Sequence, residues 1–154
     1  MVDINVLIDA VEAEPDPAGW RSPPPVRGDP AAMTLAILNE GLEFGLWLSP
    51  HILGGTVHVL VQELGWSRDE ASKYETFLRV AADRTGGLVE PQIRVADCPD
   101  WEDNRILELA DACGAMILAS SDDHLLSMSP WRGIPIMEPA TFVARVDAMR
   151  RRPR

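Results

Sequence analysis

The stretch DNRILELADACGAMILAS, from Asp103 to Ser120, decides the fold class of this chain. Its first part carries apolar residues at the spacing of one helix face, and Gly114 is a typical helix end. The apolar positions are Ile106, Leu107, Leu109 and Ala110. The run AMILAS follows at once and predicts a buried strand. A helix joined directly to a strand is the repeating unit of α/β proteins.

Further helices and strands alternate on both sides of this unit. Helices are predicted over AAMTLAILNEG, SPHILGGTVHVLVQEL, SRDEASKYETFLRVAADR, DHLLSM and ATFVARVDAMR, and strands over the first apolar residues, FGLWLS, GLVE and IPIM. Ser49 followed by Pro50 is a typical helix start, and Ser67 with Glu70 forms a capping box. We therefore predict an α/β fold, a three-layer α/β/α sandwich with a largely parallel central sheet.

Length and composition predict one domain. The chain has 154 residues, of which 46% are hydrophobic, enough for a substantial core. We expect the domain to span residues 1–150, with a proline-rich loop at 14–30 and a basic tail at 151–154. The formal net charge of −10 argues against capture of nucleic acid by a broad basic surface. It leaves a metal-dependent nuclease open, because the carboxylates that hold metal ions are themselves acidic.

The sequence contains no segment typical of membrane insertion or secretion. No uncharged stretch approaches the ~20 residues that span a bilayer, and no basic segment precedes a long apolar one. Cys98 and Cys113 lie far apart and form no C-x-x-C pattern, which is typical of reduced thiols. We therefore expect a cytoplasmic protein that has no membrane partner.

Three aspartates occupy equivalent places in the α/β pattern. Asp3 follows the first apolar residues, Asp103 opens the clearest amphipathic helix, and Asp122 follows AMILAS. Sites in open α/β sheets form at the carboxyl ends of strands, so these side chains are expected to converge. Converging carboxylates repel one another unless a cation compensates them, and oxygen ligands favour Mg²⁺ or Mn²⁺. The sequence therefore predicts a divalent metal site.

Each of these acids also has a purely structural interpretation. Asp100 and Asp103 bracket a helix start and can serve as helix caps or dipole partners, and Asp122 can cap the helix that follows it. Asn5 can cap a short helix over VLIDAVEA. Asp3 fits the capping interpretation least, because it lies among the first apolar residues of the chain.

Three segments of the chain resemble the PIN-domain family: VDINVLIDA, DWEDNRILELADACGAMILASSDDHLL and GIPIMEPATFV. Asp3, Ile4 and Asn5 match the family's start, an Asp, a hydroxyl residue and an Asn, with the hydroxyl replaced. Asp103 matches the family's D-D-N/D-K-x-L block, and Asp122 matches its T-G-D-x-H/D-L-L block. The resemblance covers nearly the whole chain except the proline-rich segment.

This resemblance implies a function. Members of the family are metal-dependent endoribonucleases, and many are toxins of bacterial toxin–antitoxin pairs. By analogy, Asp3, Asp103 and Asp122 hold Mg²⁺ or Mn²⁺, and Asn5 orients Asp3 for hydrolysis of RNA phosphodiesters. We expect RNA as the substrate. The expected protein partners are an antitoxin and a second copy of the chain, which would form a homodimer.

The chain departs from the family pattern at its fourth acid. Related chains carry a Glu in the helix after S-P-x-L-L, where this sequence has Gly55. His51 and His58 lie one turn before and after it, and Glu43 is another candidate replacement. A site with three acids is expected to bind metal more weakly than a site with four.

Two alternative functions are compatible with these residues. A PIN-like protein weakened by the loss of the acid at Gly55 can act as a binding module. A phosphotransfer domain of the haloacid dehalogenase kind can use Asp3 as its nucleophile, but its motif has a second Asp where this chain has Asn5.

Overall fold

The computed structural model describes residues 1–14 and 28–152. Most of the predicted proline-rich loop at 14–30, and residues 153–154 of the basic tail, lie outside the described residues. The helices of the described part are α1 (Ile4–Ala13), α2 (Pro30–Glu40), α3 (Pro50–His58), α4 (Arg68–Thr85), α5 (Trp101–Ala112), α6 (Asp123–Ser127) and α7 (Pro139–Arg150). Its strands are β1 (Trp47–Leu48), β2 (Gly87–Leu88), β3 (Leu118–Ala119) and β4 (Ile136–Met137).

Short strands pair in parallel at the positions where the sequence predicts them. β1 pairs with β2, and β3 pairs with β4, with Leu118 opposite Ile136. Val2 forms a single parallel bridge to Ala119 on the other side of β3. The strand predicted at the start of the chain is therefore reduced to this one paired residue. The structure is therefore mixed α/β, with short parallel strand pairs separated by helices.

The helix starts follow from local capping chemistry. The Asp29 side chain accepts hydrogen bonds from the backbone N–H groups of Ala31 and Ala32 at the start of α2. The capping box of Ser67 and Glu70 is present at the start of α4, which confirms the prediction. Each cap satisfies N–H groups that have no partner inside the helix.

Helix α3 continues into a π-helical turn over Val59–Glu63. The helix predicted from Ser49 to Gly65 is therefore confirmed, with a change of hydrogen-bonding pattern near its end. Gly65 then adopts a φ of 72°, which an L side chain rarely adopts. A π-helical turn widens the helix locally and is frequent at functional sites.

The capping role at the start of the chain falls to Asp3. Helix α1 begins at Ile4, and the Asp3 carboxylate accepts a hydrogen bond from the Val6 N–H. The interpretation of Asn5 as the cap is therefore wrong, and so is the expectation that Asp3 is least suited to capping. The reason is that the chain turns helical directly after the Val2 bridge, leaving Asp3 with extended backbone at the boundary.

One hydrophobic core joins these elements. It includes Leu7 of α1, Leu35 of α2, Leu78 of α4 and Leu107 of α5, all fully buried. The apolar face predicted for α5 is buried throughout. Each such side chain contributes about 1.5–3 kcal/mol relative to exposure, so the core holds the segments around the site in place.

Within the described residues, none of the helices has the length and apolar character needed to cross a bilayer.

Candidate functional site

A cavity of about 360 Å³ brings together the three aspartates that the sequence singles out. Asp3 reaches it from the boundary between the first bridge and α1, Asp103 from the first turn of α5, and Asp122 from the start of α6. Asn5 also lines the cavity. Segments separated by about a hundred residues therefore converge, as parallel pairing predicts. The other lining residues are Ile4, Gly55, His58, Val59, Glu63, Asp100, Glu102 and Ile106.

Asp3 is the most buried acid of this cavity, with 3% of its surface exposed. Its Oδ1 atom accepts a hydrogen bond from the Val6 N–H at 3.0 Å, and its Oδ2 atom accepts one from the Ser120 hydroxyl. The pKa of Asp3 is raised from 3.8 to about 6, mainly by burial and to a smaller extent by the charges of Asp122 and Asp103, against the lowering effect of the two hydrogen bonds. The negative charge of Asp3 is therefore poorly compensated by the protein.

Ser120 and Val6 fix the orientation of Asp3. The Ser120 hydroxyl donates to Asp3 and accepts a hydrogen bond from the Asp122 N–H at 3.0 Å, so it couples two of the acids. Within the described part of the chain, no hydrogen bond joins Asn5 to Asp3. Sequence reasoning assigned no role to Ser120, although it is the last residue of the predicted strand AMILAS.

His124 lies between the other two acids. Its Nδ1 atom is 3.6 Å from an oxygen of Asp103 and 3.8 Å from an oxygen of Asp122. Burial raises the pKa of Asp103, the charge of Asp122 raises it further, and the Cys98 thiol and His124 act in the opposite direction. Asp122 also caps α6, accepting from the N–H groups of His124 and Leu125 at 2.8 and 3.4 Å. The predicted capping role of Asp122 is therefore confirmed, and it leaves the second carboxylate oxygen of Asp122 without a hydrogen bond from the described residues.

Asp100, Asp103 and His124 form a group that could bind a metal ion. One potential ligand atom from each lies within 4.8 Å of the others. The group shares Asp103 with the predicted set of Asp3, Asp103 and Asp122, and adds an imidazole. Asp100 was interpreted as a helix cap, and it does cap α5, accepting from the Glu102 N–H at 2.8 Å. A single side chain can thus cap the helix through one oxygen and present the other.

Gly55 and Ile4 contact each other in the wall of the same cavity. A Cβ atom at Gly55 would lie 2.5 Å from the Cδ1 atom of Ile4, so the isoleucine side chain occupies the space that a larger residue would need. Both positions are departures from the PIN pattern. An apolar group therefore fills the place where the resemblance implies a hydroxyl and a carboxylate.

The other candidate replacements for the missing acid lie in different places. His58 lines the cavity. The Nε2 atom of His51 is 2.8 Å from an oxygen of Glu102 at the rim. Glu43 lies outside this cavity and pairs with Arg150, with 2.8 Å between its oxygen and the guanidinium Nε atom.

Sequence reasoning missed Glu63, a further carboxylate of the cavity wall. Gly55, Val59 and Glu63 are spaced four residues apart, the spacing of one helix face, and this signal could have identified it. Six carboxylate side chains line the cavity, and in the described part of the chain no lysine or arginine does. The cavity therefore attracts cations and repels phosphate until a cation neutralises it.

Comparison with known protein families, curated proteins and solved structures gives no significant match to this chain. A function for the chain is therefore proposed from the geometry of the cavity and from the resemblance in its motifs.

Proposed function

We propose that this chain is a divalent-metal-dependent endoribonuclease of the PIN type, with a three-layer α/β/α sandwich and a largely parallel central sheet. The convergence of Asp3, Asp103 and Asp122 on one cavity supports the proposal most strongly, because nothing in helix capping requires the starts of these three helices to meet there. The order and spacing of the PIN-like motifs add to it. On the same resemblance, we propose that the chain is the toxin of a toxin–antitoxin pair.

The donor set of the cavity fits a divalent metal ion. Asp103 is central to both candidate ligand groups, and Asp100 and His124 complete the group whose atoms lie closest together. Asp3 and Asp122 add negative charge beside it. An imidazole donor suits Mn²⁺ better than Mg²⁺, so we expect Mn²⁺ to be the more effective ion.

The residues of the cavity have different roles in the proposed hydrolysis. When bound, a divalent ion supplies Lewis-acid stabilisation of the charge that builds up at phosphorus and makes a water molecule more acidic. Asp103 and Asp122 lie beside the His124 imidazole, 3.6 and 3.8 Å from its Nδ1 atom, so the three side chains face the same point of the cavity. Ser120 and the Val6 N–H hold Asp3 in one orientation. The carboxylates of the wall repel an RNA phosphate until a cation is present, which makes the activity depend strictly on metal.

The test is cleavage of single-stranded RNA in Mg²⁺ and in Mn²⁺, combined with Mn²⁺ calorimetry. We expect Asp103→Asn to weaken Mn²⁺ binding at least tenfold and to abolish cleavage, because it removes the central ligand. Asp83→Asn changes an exposed carboxylate of α4 and is the matched control. Equal cleavage by the wild type and Asp103→Asn would contradict the proposal.

The packing of Ile4 against Gly55 favours a second candidate function, a catalytically weakened PIN-like binding module. In that case the protein would bind an antitoxin or RNA without cleaving it. Absence of Mn²⁺ binding at millimolar concentration would favour this candidate over the nuclease.

A further inference from the structure

Trp101 differs from the other described tryptophans in its exposure. Trp131 is buried, and Trp47 and Trp66 pack against the hydrophobic core. Trp101 is 61% exposed, and it does not belong to the core. The indole ring is therefore accessible to a ligand.

The indole ring of Trp101 is held beside the rim of the acidic cavity. Trp101 is the first residue of α5 and lies between Asp100 and Glu102, which both line the cavity. The His51 ring meets the indole edge to face, with 5.9 Å between the ring centroids, and the Arg105 guanidinium lies 5.9 Å from the indole centroid. These contacts limit the positions that the ring can take, so it is largely ordered before a ligand arrives.

The charge of the site determines what kind of contact can hold RNA there. The protein carries a net charge of −10, and the cavity is lined by carboxylates, so attraction to the phosphate backbone is weak. A flat aromatic face binds a nucleobase without requiring a positive surface. The His51 and Arg105 side chains next to the ring are each already paired with a carboxylate, His51 with Glu102 and Arg105 with Glu108.

We propose that the exposed face of Trp101 is a stacking surface for one unpaired nucleobase of single-stranded RNA, and that it positions the adjoining phosphodiester at the cavity. This inference rests on the proposed nuclease function and adds a binding residue to it. Stacking on an aromatic side chain contributes about 1–3 kcal/mol per base, which corresponds to about a 5- to 150-fold change in affinity.

The experiment measures binding of a short fluorescein-labelled single-stranded RNA by anisotropy, in EDTA and again in Ca²⁺ to hold back cleavage. We expect Trp101→Ala to weaken binding about 5- to 150-fold and Trp101→Phe to retain much of the affinity. Met116→Ala is the matched control, since Met116 is 73% exposed and lines a different cavity. Because Trp101 lies outside the core, the thermal midpoint of Trp101→Ala should stay close to that of the wild type.

An RNA of the same length with abasic positions tests the stacking itself. We expect the wild type to bind it as weakly as Trp101→Ala binds the normal RNA. Three results would each overturn the inference. The wild type could bind the two RNAs equally well, the wild type and Trp101→Ala could bind the normal RNA equally well, or the wild type could bind no RNA. Self-association that Trp101→Ala abolishes, without any effect on RNA binding, would assign Trp101 to a contact between copies and would also overturn it.

Cleavage assays separate this inference from the nuclease proposal. RNA binding that depends on Trp101 without cleavage in Mg²⁺ or Mn²⁺ would overturn the nuclease and support the stacking surface. Metal-dependent cleavage with the same kcat/KM in the wild type and Trp101→Ala would support the nuclease and overturn the stacking surface.

Discussion

Replacing Asp3 with asparagine should make the protein more stable at neutral pH, although it removes a proposed metal ligand. The pKa of Asp3 rises from 3.8 to about 6 on folding, mainly through burial. At 1.36 kcal/mol per pH unit, the ionised carboxylate costs the folded state about 3 kcal/mol at pH 7.5 and about 1 kcal/mol at pH 4.5. Asparagine is an equally good helix cap, and its amide can still hydrogen-bond Val6 and Ser120.

The sign of the pH dependence follows from the raised pKa. Between about pH 4 and pH 6 the folded protein holds a proton on Asp3 that the unfolded chain has released. The wild type therefore loses stability as the pH rises through this interval, and Asp3→Asn lacks this contribution. We expect the stability difference between the variant and the wild type to change by about 2 kcal/mol in favour of the variant from pH 4.5 to pH 7.5.

Urea unfolding in EDTA at these two pH values measures the difference. Asp83→Asn, which removes an exposed carboxylate of α4, controls for the change in net charge. Added Mn²⁺ at pH 7.5 should stabilise the wild type more than Asp3→Asn, since a ligand stabilises the state that binds it. A variant that is less stable than the wild type at pH 7.5, or that shows the same pH dependence, would refute the reasoning.

Three further substitutions test particular contacts. Gly55→Glu requires the Ile4 side chain to move, because the new Cβ atom would lie 2.5 Å from Ile4 Cδ1. The double variant with Ile4→Ser frees this space and should bind Mn²⁺ more tightly in calorimetry than the wild type. Glu108→Ala should cost about 3–5 kcal/mol in urea unfolding, since this buried carboxylate pairs with Arg105. Tyr74→Phe should lower the free energy of unfolding by about 1 kcal/mol, because the Tyr74 hydroxyl donates to a buried backbone carbonyl at 2.7 Å. An unchanged free energy of unfolding in Glu108→Ala or in Tyr74→Phe would contradict the contact assigned to that residue.

Local signals in the sequence predicted most of the helices and strands. The capping box at Ser67 and the apolar face of α5 depend on residues a few positions apart, and both are present. The strands were predicted in the right places, but as longer segments than the pairs that form. The length of a strand depends on how far two neighbouring segments run side by side, and the hydrophobicity of one segment does not determine that length.

The candidate site was predicted in part. The prediction that Asp3, Asp103 and Asp122 converge agrees with the cavity that all three line. Parallel pairing of Val2 with β3 accounts for Asp3 and Asp122, whereas Asp103 reaches the cavity from the first turn of α5. The role of Ser120 was missed, since a hydroxyl gains its role only from the carboxylate that lies beside it across the fold.

By itself, the sequence determined where most helices and strands form and which acids lie at their boundaries, because capping and periodicity depend on residues a few positions apart. Only the tertiary structure decided that Asp3 is buried between Val6 and Ser120, that Ile4 fills the space at Gly55, and that Trp101 stays exposed. These properties depend on packing between segments far apart in the chain, where burial sets the pKa of a carboxylate and a neighbouring side chain sets the space available.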